Sequence, residues 1–268
     1  MAMDRLLMIE LASGGCAVEA QLNEMPVASL AAGGGCVSLA VHEYTLAGRN
    51  RLSLVIAPPP PGASVPSQPR VAIGPTWARA RLVLVGQGQS PVDPGARVLG
   101  VVEWAAAEGK AYDAPSTHGR DIELPVNFPR WRWLDAPAID LAPPLRRQVL
   151  EFVQQLAVEL GRGNPEPLIA AAKLRFDELA LAYQTDAAVG VQRFREHLQR
   201  LYAAKALKII PPVAAELVLR PLIEGRLLEC LAPTGGPVLK TQNDVPALGE
   251  HAWPIRLAVV EGNIYVLR

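Results

Sequence analysis

Two periods of hydrophobic and polar positions divide the chain. Up to about residue 128, apolar and polar residues alternate over short runs broken by turn clusters. That period of two marks half-buried antiparallel strands. The pattern predicts strands over 4–12, 16–23, 35–41, 50–57, 78–87, 96–105 and 120–126. In 50–57, Leu52, Leu54 and Ile56 share one face, with Arg51 and Ser53 on the other. In 78–87, Ala80, Leu82 and Leu84 alternate with Arg79, Arg81 and Val83. Short strands spaced by turns predict an N-terminal antiparallel β-sandwich over residues 1–128. The stretch 57–69 holds Pro58, Pro59, Pro60, Pro61, Pro66 and Pro69, and lacks the donors a sheet needs. It is expected to be an exposed, extended connection.

After about residue 144 the period becomes helical. Pro143 and Pro144 open a helix ending near Gly161, with Leu145, Val149, Val153, Leu156 and Leu160 on one stripe. A second helix is expected over 165–184, aligning Leu168, Ala172, Phe176, Leu179 and Tyr183. Asp186 is the expected N-cap of a third, with Val191, Phe194, Leu198, Leu201 and Tyr202 inward. The last stretch returns to strands at 214–220, 226–232, 237–241, 253–260 and 263–268, the final two joined as a hairpin through Glu261-Gly262-Asn263. The fold class is therefore α+β: a sandwich over 1–128, a Pro/Trp-rich linker over 129–143, and helices followed by a curved antiparallel sheet over 144–268.

Two stretches carry resemblances. The run from Val41 to Leu52 resembles the corner of many sandwich domains, where a tyrosine precedes a Gly-x-Asn turn into a core strand. Tyr44 is expected to be structural, Gly48 to supply backbone freedom and Asn50 a local side-chain hydrogen bond. Similar modules accompany carbohydrate-active enzymes, so carbohydrate or peptide binding through Trp77, Trp104, Trp131 or Trp133 is one expectation. The order of elements over 144–268 resembles the cone-shaped fold of the nuclear-transport-factor-2 and SnoaL-like superfamily. That likeness includes Leu219-Arg220-Pro221, Gly225-Arg226-Leu227-Leu228 and Trp253-Pro254-Ile255-Arg256-Leu257.

Composition narrows the classes. Half of the 268 residues are hydrophobic, which excludes a disordered chain. Lys and Arg total 26 and Asp and Glu total 26, so no basic excess supports a grip on nucleic acid. No stretch approaches the ~20 apolar residues of a membrane span. Glu10 interrupts the apolar start before it reaches the length of a secretory segment, so a cytoplasmic location is expected. Cys16, Cys36 and Cys230 show no C-x-x-C spacing and are expected to be small, mostly buried thiols.

Little of the chain spells chemistry. Gly33-Gly34-Gly35 has no following Lys-Ser/Thr, and no G-x-S-x-G elbow occurs. His42, His118, His197 and His251 lack metal-ligand spacing, so no metal or cofactor is expected. The SnoaL-like resemblance implies acid–base chemistry inside a cone, with Asp177 as base, Tyr183 as hydrogen-bond donor and Arg256 beside them. Asp177 and Glu178 also read as a charged helix face beside Lys173 and Arg175. Trp131, Arg132 and Trp133 alternate aromatic and cationic groups, the composition of interface hot spots, or else tryptophans that seal a crevice. The leading expectation is a non-catalytic intracellular protein that binds another protein, in one form as inhibitor of a toxic effector (an immunity protein). A lyase, isomerase or hydrolase acting on a small molecule in the cone is the alternative.

Overall fold

The computed structural model describes residues 4–242 and 249–268. Among them are four α-helices and fourteen strands, arranged in four antiparallel sheets. No helix among the described residues is long and apolar enough to cross a membrane. The chain divides into two compact units, Met1–Pro59 with Ala63–Arg130, and Pro60–Gly62 with Trp131–Arg268.

The first unit is made of strands. β1 (Arg5–Gly14), β2 (Val18–Leu22), β3 (Met25–Leu30), β4 (Gly35–Ala40) and β5 (Gly48–Ile56) come first. β6 (Gln68–Val71), β7 (Thr76–Gly86), β8 (Arg97–Ala106), β9 (Ala111–Ala114) and β10 (Ser116–Leu124) follow. One sheet has the order β4-β1-β7-β8 and another β10-β5-β2-β3, while β6 and β9 form a two-stranded ribbon. The expected alternation places Leu52, Leu54 and Ile56 of β5 and Ala78, Ala80 and Leu82 of β7 in one apolar cluster with Leu7, Ile9 and Leu11 of β1. Both four-stranded sheets therefore line the same core. At one margin β8 and β10 come so close that a Cβ on Gly100 would lie 2.2 Å from Ile122 Cδ1. A side chain at that position would have to displace Ile122.

Two features of this unit depart from the sequence expectation. A strand, β3, follows β2 through Asn23 and Glu24, both left-handed at φ 53° and 66°. Asn23 tolerates that conformation and Glu24 does not advertise it. The second departure lies in the proline stretch, whose end at Gln68–Val71 is a strand after all. Pro69 lies opposite Asp113 in the ribbon, a sheet margin where a missing donor is tolerated.

The Tyr44 corner is held by Asn50. Its Oδ1 accepts from the Leu46 N–H and from Asn23 Nδ2, each at 2.8 Å, and its Nδ2 donates to the Leu46 and Gly48 carbonyls. Gly48 is left-handed at φ 79°. His42, also buried, accepts at Nε2 from the Leu7 N–H at 2.7 Å.

The second unit places helices with a meander. α1 (Pro143–Gly161), α2 (Glu166–Ala171), α3 (Lys173–Tyr183) and α4 (Ala187–Ala203) precede β11 (Val218–Leu222), β12 (Leu227–Leu231), β13 (Arg256–Val260) and β14 (Asn263–Val266). The strands pair in sequence order. Val149, Val153, Leu156 and Leu160 of α1 pack in one cluster with Leu198 of α4 and with Leu219, Leu228, Leu257 and Val266 of the sheet. Asp186 caps α4, accepting from the Ala188 N–H at 2.8 Å.

Three expectations change here. The helix expected over 165–184 breaks at Ala172 (φ −98°, ψ 11°), separating α2 from α3. Tyr202 faces outward, its ring over Gly163, where glycine's left-handed backbone leaves no space for a Cβ. The 237–241 segment makes only single bridges, among them Lys240 with Ala252 and Ile209 with Thr241. Residues 131–143 are grouped with the second unit, which begins again at Trp131.

Candidate functional site

The residues expected to carry chemistry lie on two elements, Asp177 and Tyr183 on α3 and Arg256 on β13. Arg256, on β13, donates from Nε to Glu229 Oε1 at 2.9 Å, and Arg220 Nε donates to Glu229 Oε2 at 2.8 Å. Both oxygens of this buried carboxylate are thus engaged by guanidinium groups from neighbouring strands. Asp177 and Tyr183 are half-buried on α3. The buried acid of that helix is Glu178, a departure from the charged face read in the sequence. Its Oε2 accepts from Arg268 Nη1 at 2.6 Å, and its Oε1 accepts from the Arg132 backbone N–H at 2.7 Å. Bonds of this kind take the place of water around a buried carboxyl.

Trp131 and Trp133 are both completely buried, while the Arg132 side chain is exposed. The Arg268 guanidinium lies 5.7 Å from the centre of the Trp131 ring. Neither indole is exposed to a partner. An exposed tryptophan occurs instead in the first unit. Val71, Ile73 and Trp77 are 62%, 96% and 41% exposed, all within seven positions of chain. Val71 ends β6, Ile73 stands on the turn into β7, and Trp77 lies near the start of β7. The turn is anchored by Ala72, whose N–H donates to the Lys110 carbonyl and whose carbonyl accepts from the Gly109 N–H. Ala72 itself is buried, so the ribbon continues one residue and then holds Ile73 outward. The Trp77 indole lies over Gly14, its partner in register on β1, where a Cβ would come within 2.7 Å of Nε1. Trp104 instead turns to an edge contact with Tyr112, ring centres 5.1 Å apart.

The second unit has an apolar cleft of about 340 Å³. α2 and α3 supply Leu168, Phe176 and Leu179, α4 supplies Phe194, and the segment before β13 supplies Trp253 and Ile255. The break at Ala172, itself part of the lining, separates Leu168 from Phe176. The polar side chains of the lining are Arg175 and His197. Arg175 Nη1 donates weakly to the Pro254 carbonyl at 3.4 Å. His197 stands 5.8 Å from His251, ring centre to ring centre, with the planes at 70°. Burial, and then the charges of His251 and Arg200, hold the His197 imidazole below its ordinary range.

No protein-family model, curated protein or solved structure matches the chain.

The arrangement itself must therefore indicate the chemistry. Among the described residues, no three His, Cys, Asp or Glu side chains gather as metal ligands would. Burial pushes the Cys16 and Cys230 thiols up, keeping them protonated, whereas Cys36 is exposed on β4. None of the three is in a disulfide. The sequence named Trp77 for glycan or peptide binding but missed Val71 and Ile73. Their alternation with Arg70 and Ala72 resembles an ordinary strand margin, and nothing local marks them as outward. The cleft was missed for another reason. Its stripe of Leu168, Ala172, Phe176 and Leu179 was read as core, which that periodicity describes equally well.

Proposed function

We propose that this chain is a non-catalytic binding protein that presents the β6–β9 ribbon and its following turn to another protein. The observation carrying the proposal is the outward placement of Val71, Ile73 and Trp77. Isolated exposed apolar residues are ordinary, but three large ones this close along a turn supply the kind of apolar anchor interfaces use. Covering a side chain as exposed as Ile73 contributes about 1.5–3 kcal/mol. In this reading the first unit is a β-sandwich that holds the ribbon rigid, and the second is a cone-like domain with a filled interior. Aliphatic packing of Val153, Leu156, Leu228 and Leu257 supports a scaffold in place of an enzymatic cone. So does the engagement of Glu229 and Arg256 with each other.

The concrete form is an intracellular inhibitor of a toxic effector encoded beside it. The test is co-expression with the products of the two adjacent reading frames, followed by size-exclusion chromatography and growth measurement. One of them should co-elute with this chain and lose toxicity. Ile73→Asp should weaken that complex by about 30-fold or more, the loss expected for an interface hot spot. Absence of a complex with either product, or a complex indifferent to Ile73→Asp and Val71→Asp, overturns the proposal.

A further inference from the structure

We propose that the cleft of the second unit binds a small neutral molecule built of an apolar body and one hydroxyl group, as in a phenol or a short alcohol. The inference stands on different residues from the ribbon, so either can fail alone. The fold makes the space. The break at Ala172 parts α2 from α3, and two small side chains, Ala172 and Ala252, stand in the lining where larger ones would fill it. About 340 Å³ lies at the lower end of small-molecule sites, which begin near ~300 Å³. At roughly 30 Å³ per water-sized group, the cleft takes about eleven such groups.

The walls are apolar. Phe176 and Phe194 meet there with ring centres 6.2 Å apart and planes at 53°, a tilted pair that presents ring faces and edges. Both rings and Leu179 are only half-buried, while Trp253 and Ile255 of the same lining are buried. The chain thus leaves apolar surface in the cleft that a ligand body would remove from water. Several hydroxyls would find too few partners along these walls, and burying them unpaired is costly.

One polar group of the lining suits a ligand. No hydrogen bond commits the His197 imidazole to another described residue, and its ring contact is with His251. A neutral imidazole has one N–H donor and one bare nitrogen, and a hydroxyl can answer either. Burial, and then the charges of His251 and Arg200, hold His197 below its ordinary range, so it is neutral in mildly alkaline buffer. A charged ligand has no such counterpart. Arg175 is engaged with the Pro254 carbonyl, so a carboxylate would be desolvated here without a dedicated cation. An ammonium would meet Arg175 and Arg200 with like charge.

The experiment is isothermal titration of the full chain, in mildly alkaline buffer, with thymol, a phenol of the size the cleft takes. Thymol should bind saturably at one site. Para-cymene, the same body without the hydroxyl, should bind about fivefold more weakly by displacement, the difference one neutral hydrogen bond makes. Cumate and cuminylamine, similar bodies bearing a carboxylate and an ammonium, should each be about tenfold or more weaker than thymol. His197→Phe should bring thymol down to the para-cymene value and leave para-cymene unchanged. Ala252→Phe, at an exposed position of the lining, should block both. In parallel, the Trp253 indole N–H resonance of the unaltered chain should move on adding thymol, a readout that holds if a variant disturbs folding. Equal affinities for thymol and para-cymene, cumate binding as tight as thymol, no saturable thymol binding, or a Trp253 resonance left in place overturns the proposal.

Discussion

Glu10 and Glu178 are both almost wholly buried, one in each unit, and each is held by arginine on different terms. Glu10, on β1, receives two bonds from Arg81, at 3.0 and 2.7 Å, with Arg79 3.6 Å away. Those arginine side chains remain 20% and 40% exposed, so the group sits under a cationic cover wetted from outside. Glu178, on α3, has one guanidinium, and that of Arg268 is 1% exposed. Its other oxygen depends on a single backbone N–H. The strand unit therefore surrounds its acid with two cations at the margin of water. The helical unit encloses one pair in a poorly solvated interior. A pair of the second kind gains little over an apolar replacement, yet is costly to break.

The largest effect should come from breaking the enclosed pair. Arg268→Met leaves the buried Glu178 carboxyl without its cationic partner, and should cost about 3–5 kcal/mol in denaturant unfolding. Adding Glu178→Leu should recover most of that loss, since well-packed apolar groups often equal a buried pair. No recovery would mean that the Arg132 N–H, deprived of its acceptor, matters as much as the charge.

The strand unit should be most sensitive at its close approach. Gly100→Ala drives a methyl into Ile122 and should cost about 1–3 kcal/mol, the usual range for overpacking. Arg81→Met should cost less than Arg268→Met, about 1–2 kcal/mol, because Arg79 still faces Glu10. An Arg81→Met loss equal to that of Arg268→Met would erase the contrast between the two acids.

Smaller still is the cap of α4. Asp186→Ala should cost about 1 kcal/mol through loss of the acceptor for the Ala188 N–H.

The least effect is a slope with pH. His197 is held below the 6.5 of a free imidazole, so below that pH the unfolded chain takes up a proton that the folded chain resists. Stability should be flat above about pH 7, fall as pH drops through 6.5, and level off below the folded pKa. His197→Gln should remove its share of that decline, read from thermal unfolding across pH.

What the sequence disclosed depended on the range of the interaction. Asn50 was legible because its partners, Leu46 and Gly48, lie within four residues. The stripe of α1 was legible because helical packing repeats along the chain. Glu178 was not, because its cation is ninety positions away and its neighbours Arg175 and Lys173 offered a local account. The division of α2 from α3 was hidden as well, since Ala172 is a helix former and no glycine or proline marks the break. The outward side chains of the ribbon were the least legible. An apolar residue looks the same in sequence whether it is enclosed or exposed.

Pro69 has a consequence for how the ribbon behaves in a concentrated solution. A bare two-stranded margin with Val71 at its end would ordinarily invite another copy to dock alongside and extend it. Proline interrupts the row of amide donors at the middle of β6, and Arg70 beside it places a cation on the same strand. The ribbon can therefore offer its side chains to a foreign surface while remaining a poor template for its own polymerisation.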